Sequence, residues 1–131
     1  MVLAKNPPVR RYYFNAGPTA LNLAIPPRDG AAEVVGEITV LEDMKLAYAQ
    51  PHMHLRGKDF ELRLVYPTGE AETILKGAWN FEWQMGYEFA KPIVMPKGTR
   101  MVSIMHFDNS ANNRFKSRSG EDRHLGTAEL G

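Results

Sequence analysis

Apolar and polar residues alternate with period two over residues 33–41 and again over residues 59–66, the pattern of half-buried β-strands. In the second stretch Phe60, Leu62 and Leu64 fall on one side. Pro67-Thr68-Gly69-Glu70 has the composition of a tight turn, so residues 72–75 read as the return strand of a hairpin. The same logic joins a strand at residues 87–95 to one at 99–108 through Pro96-Lys97-Gly98. Phe60, Leu62, Leu64, Ile74, Val102 and Ile104 are the expected interior. Nine prolines recur along the chain, and a proline inside a helix costs about 3 kcal/mol, which leaves little room for long helices. Short strands at regular spacing predict an all-β, antiparallel β-sandwich.

A chain of 131 residues, 44% hydrophobic, fills one core and has no room for a second full domain. Residues 1–115 are expected to form that domain, with residues 1–25 as an irregular N-terminal extension. Residues 116–131 lose aromatics and strand periodicity and are expected to lie outside the core. Sixteen Lys and Arg against fifteen Asp and Glu leave a net charge of +1, too small a field to attract nucleic acid or an anionic membrane. No stretch approaches the roughly 20 apolar residues of a membrane span, so neither nucleic acid nor membrane is an expected partner. Cysteine is absent, which removes disulfides, thiolate metal sites and a cysteine nucleophile. His, Met and carboxylates are left as metal ligands.

Chemistry concentrates at Pro51-His52-Met53-His54. At the end of a strand running from Met44, His52 and His54 at i and i+2 project from one face, and two nitrogens a strand period apart can grip one ion. Imidazole suits copper, zinc, nickel and iron, and an added thioether favours Cu(I). Taken alone, a His-x-His pair is a weak signal, and one surface histidine with one hydrogen-bonded core histidine is its commoner meaning. Met53 points the opposite way and reads as core, as do Met44, Met85, Met95, Met101 and Met105. Trp79, Trp83, Tyr87 and Phe89 offer either core filler or an aromatic surface. Arg56 and Lys58 are expected to pair with Asp59 and Asp108.

Several blocks together carry a resemblance. Residues 51–58 (Pro-His-Met-His-Leu-Arg-Gly-Lys), Phe60, Val65-Tyr66-Pro67 with Gly69, Phe81-Glu82-Trp83-Gln84, Pro96-Lys97-Gly98-Thr99 and residues 107–113 (Phe-Asp-Asn-Ser-Ala-Asn-Asn) are similar to bacterial members of the copper type II, ascorbate-dependent monooxygenase family. The likeness is to that family's C-terminal domain and spans residues 26–113. It implies a jelly-roll sandwich in which the His-x-His pair and one Met hold a mononuclear copper that activates dioxygen to hydroxylate a C–H bond. His52 and His54 carry over as the imidazole ligands. An exported or periplasmic native setting is also implied.

The chain departs from that pattern in three ways. The family's second copper, which relays electrons from ascorbate, has three His ligands in a preceding domain, and no histidine here precedes Gly30. A native neighbouring domain is therefore expected to be missing, and complete activity is not expected of this chain alone. The family's ligand methionine follows the Asn-Asn block, whereas no methionine here follows Met105. His106 is the candidate replacement, with Asp108 on the same strand face to orient its ring, and a histidine hydrogen-bonded within the sandwich is the other reading. Lastly, residues 116–131 resemble nothing in the family, and His124 there is expected to be solvent-exposed. They admit a coding sequence from which deletion of a single A gives Asn-Pro-Asp-Pro-Ala-Lys-Thr-Val-Thr-Trp-Gly-Pro-Gln-Ser-Trp, similar to the family's continuation. The tail is accordingly read as a frameshift product, with an ordinary divergent tail as the alternative. An out-of-frame tail leaves a sheet edge open, to be met by a homodimer or by an improvised strand.

Two other functions compete with copper chemistry. One is a non-enzymatic jelly-roll interaction or carbohydrate-binding module. The other is glycan cleavage, for which Asp43, Glu61 and Glu82 supply carboxylates without a diagnostic spacing.

Overall fold

A computed structural model describes residues 17–20, 23–113 and 115. The tail read as a frameshift product, including His124, lies outside these residues. Six strands form: β1 (Ala32–Thr39), β2 (Met44–Ala49), β3 (Gly57–Val65), β4 (Ala71–Ala78), β5 (Tyr87–Met95) and β6 (Arg100–Phe107). They make a four-stranded sheet in the order β1-β6-β3-β4 and a two-stranded sheet β2-β5, every pair antiparallel. No helix occurs among the described residues. The β-sandwich expected from the period-two pattern is the fold.

Two apolar clusters lie between the layers. Leu64, Met95, Met101 and Val40 are buried, and Met44, Leu46 and Ile93 pack on them from the two-stranded sheet. The second cluster, Ile25, Ala32, Val34, Met53, Phe60 and Phe107, is covered by irregular chain, with Ala20, Leu23 and Trp79 against it. Irregular segments can cap this half because their polar backbone is satisfied locally: Ser103 Oγ donates to Pro18 O at 3.0 Å, and Asn109 Nδ2 donates to Pro26 O at 3.0 Å.

The hairpin β3-β4 forms as the turn residues predict. Gly69 at φ 88° accepts a conformation costly for other residues, and its N–H donates to Tyr66 O at 2.9 Å. The second expected hairpin does not form. β5 and β6 are both strands, but Pro96-Lys97-Gly98 carries the chain from one sheet to the other, so β5 pairs with β2 and β6 lies between β1 and β3. The turn is tied to the β1-β2 connection instead: Gly98 N donates to Val40 O at 2.8 Å, Val40 N to Thr99 O at 2.8 Å, and Lys97 N to Asp43 Oδ1 at 2.8 Å.

The interior also differs on one strand. Phe60 and Leu64 are buried, while Leu62 and Ile74 are half-buried against the Leu64 cluster. On β6, however, Met101, Ser103 and Phe107 face inward. Val102 and Ile104 are half-buried on the opposite face, in register with Glu37 and Arg63 and with Val35 and Glu61. Both faces of this central strand are apolar enough that period two alone does not choose between them.

Candidate metal centre

β2 ends at Ala49, so His52 and His54 sit in the following loop rather than on the strand as expected. Pro51 has no N–H to donate to a ladder, which ends the pairing there. The loop is nonetheless shaped. Met53 is 1% exposed and anchors it in the core, which leaves its two neighbours to point away. Gly57 N donates to His54 O at 2.8 Å and closes the turn into β3. Only glycine fits there: a Cβ would lie 2.5 Å from Trp79 Cδ1 and 2.8 Å from Met53 Cβ.

The imidazoles of His52 and His54 meet edge to face, their centroids 5.2 Å apart and their planes at 79°. Two imidazoles on one tetrahedral ion, with metal–nitrogen bonds of about 2.0 Å, have centroids about 5 Å apart. The spacing is one that two imidazoles on a shared ion would have, and it is also that of an ordinary edge-to-face ring contact. His52 Nδ1 lies 3.2 Å from Gln84 Oε1, and Gln84 Nε2 donates to Phe81 O at 3.3 Å. The loop carrying Gln84 is seated by Gly86, where a Cβ would fall 1.8 Å from Tyr48 Oη. Tyr48 Oη in turn donates to Gln50 Oε1 at 3.1 Å, two residues before His52. Trp83 and Met85 flank Gln84 and are 68% and 44% exposed, so Met85 is not the core filler its residue type suggested.

His106 stands elsewhere in the molecule's chemistry. Its Nδ1 lies 2.5 Å from Asp59 Oδ1 and its Nε2 3.6 Å from Glu33 Oε2, in a cross-strand row over β1, β6 and β3. Asp108, expected to orient the ring, lies beyond the end of β6 and accepts from Ser110 N at 2.8 Å. Among the described residues no three His, Cys, Asp or Glu side chains converge as a metal-binding group, so His106 does not complete a triad with the pair.

The residues after the pair serve structure. Arg56 Nη1 donates to Asn109 Oδ1, and Asp108 N donates to Arg56 O at 2.7 Å. Asn109 is 1% exposed, and its N–H donates to Asp29 O at 2.7 Å. The Asn-rich block therefore ties the end of the histidine loop to the 25–29 segment. Lys58 Nζ donates to Gly30 O at 3.1 Å, so neutral acceptors take the place of the carboxylates expected for both cations. Glu61 accepts from Arg63, from Thr73 Oγ1 at 2.7 Å and from Lys76 Nζ at 3.0 Å. These donors, Arg63 foremost, hold its pKa down to about 2, and an ionised carboxylate of this kind cannot act as the proton donor that glycan cleavage requires.

Gln84, Tyr48 and Gly86 were not singled out from the sequence as site residues. Two signals point to Gln84: it closes the Phe81-Glu82-Trp83-Gln84 block that enters the family resemblance, and it is a polar residue between two large apolar neighbours, Trp83 and Met85, in a segment without strand periodicity. Scans against protein-family models, curated proteins and solved structures return no match to this chain.

Proposed function

We propose that this chain is a copper-binding β-sandwich domain of the kind that ascorbate-dependent copper monooxygenases carry at their C-terminal end, with a partial site made by His52 and His54. The observation that carries the reading is the pair itself: two imidazoles 5.2 Å apart, one of them hydrogen-bonded at Nδ1 by a side-chain amide. The sequence resemblance over residues 26–113 supplies the choice of copper among the metals that imidazole accepts. Copper, when bound in such a domain, supplies dioxygen activation for C–H hydroxylation. The chain's own residues hold it: His52 and His54 as ligands, Gln84 behind His52, and Met53 as the buried anchor of the loop. With no histidine before Gly30 to build an electron-relaying centre, ascorbate-driven turnover is not expected of this chain alone.

Isothermal titration with Cu(II), and with Cu(I) under anaerobic conditions, tests the reading. One copper per chain is expected, lost in His52→Ala and in His54→Ala while circular dichroism is unchanged. Affinity should be lower and less Cu(I)-selective than a site with a thioether would give. The exposed Trp83 favours a second reading, a non-enzymatic interaction or carbohydrate-binding module. Copper affinity that is unchanged in both alanine variants, or absent from the parent chain, moves the assignment to that module.

A further inference from the structure

The amide of Gln84 is held at both ends, and from this we infer that Gln84 is a positioning residue that fixes the tautomer of His52 and so selects the nitrogen it offers to a metal. Gln84 Nε2 donates to the backbone carbonyl of Phe81 at 3.3 Å. A carbonyl only accepts, so the atom of the amide facing it must be the NH2 group. The oxygen then faces His52 Nδ1 at 3.2 Å. An amide oxygen also only accepts, so Nδ1 carries the hydrogen, and in the neutral ring the lone pair is on Nε2. His52 is exposed, so the core does not enclose its ring.

The position of Gln84 is itself set by contacts outside the histidine pair. Tyr48 packs so closely on Gly86 that no side chain fits there, which seats the 81–86 loop on the end of β2. Asn80 Oδ1 accepts from Glu82 N at 3.0 Å, and Trp83 N donates to Asn80 O at 3.0 Å, so the turn before Gln84 is closed as well. The side chain therefore approaches His52 from an already folded loop, which limits the entropy lost in ordering the contact. Outer partners that orient a ligating imidazole are worth about 10–100-fold in metal affinity.

This inference rests on the two-histidine copper reading, and its test separates the two. Long-range 1H–15N spectra of the metal-free full chain, with the rings neutral, report the His52 tautomer directly. The Nδ1–H form is expected in the parent and in Gln84→Glu, whose carboxylate also accepts. Gln84→Leu should release the ring to a mixture and weaken Cu(II) binding by about 10–100-fold, with Gln84→Glu restoring it and all three chains melting alike. A parent His52 in the Nε2–H form, or a tautomer that ignores Gln84→Leu, overturns the inference. So does a tautomer that changes while copper affinity does not. If the tautomer follows Gln84 yet the parent binds no copper, the metal reading fails and the hydrogen-bond assignment stands.

Discussion

Glu61 faces outward from the centre of the four-stranded sheet and is nevertheless 8% exposed, because Arg63, Thr73 and Lys76 close over its carboxylate. Its pKa is lowered from 4.5 to about 2, chiefly by the Arg63 hydrogen bond, so the folded state prefers the ionised form. A depressed carboxylate pKa contributes stability that is present above the unfolded value and fades as pH falls towards the folded one. Urea unfolding of the parent should therefore lose stability between about pH 4.5 and pH 2 through this group, and Glu61→Gln should flatten that part of the profile. Identical slopes in parent and variant would sink the assignment. At this scale the sequence was legible in part. The i, i+2 spacing of His52 and His54 is local, and the buried Met53 between them follows from it. Gln84 is 32 positions from His52, and nothing local to either residue records a contact that depends on how two loops are seated.

Elements were read well where one face is apolar and poorly where both are. β1 and β3 alternate cleanly, and the turn at Gly69 fixes where β4 returns. β6 is the central partner of both, in register with β1 through Glu33↔His106 and with β3 through Asp59↔His106. Its residues Met101, Val102, Ser103, Ile104 and Met105 give no polar face, so the sequence could not say which side packs inward. The structure chooses Met101, with Val102 opposite. Met101→Ala should cost about 2–5 kcal/mol, the range for truncating a buried methionine, and Val102→Ala clearly less. Urea midpoints at unchanged slope measure both. The reverse order would mean that β6 is slipped by one residue, since such a slip exchanges the faces. The missed β5-β6 hairpin has the same kind of origin. Pro96-Lys97-Gly98 has turn chemistry in either topology, and only the bonds from Gly98 to Val40 and from Lys97 to Asp43 decide that the chain crosses between sheets.

For the whole molecule, the layers are unequal. Four strands face two, and irregular chain at residues 18–20 and 23–25 covers the half of the core that β2-β5 does not reach. Among the described residues each strand of the small sheet therefore has one side without a partner strand, a situation that recruits another strand. The two sides differ. β5 carries Lys91 and Pro92 where its register with β2 shifts, between Leu46 and Tyr48, and proline and lysine both discourage edge pairing. β2 has no proline and a single charge, Lys45, among its six residues. A second copy pairing β2 with β2 about a two-fold axis would extend the small sheet to four strands and match the larger one. Sedimentation of the full chain should then reveal a concentration-dependent dimer. Ala47→Lys, on the exposed side of β2 beside Lys45, should weaken that dimer: with the two-fold near the centre of the strand the new lysine faces either its own counterpart or Lys45 of the second copy, and like charges on facing strands repel. A chain that stays monomeric across the range, or a dimer indifferent to Ala47→Lys, would rule out this edge. Because Tyr48 on β2 seats the loop that holds Gln84, dimerisation through β2 would also order the approach to His52. Copper affinity in the parent should then rise with protein concentration and stay flat in Ala47→Lys.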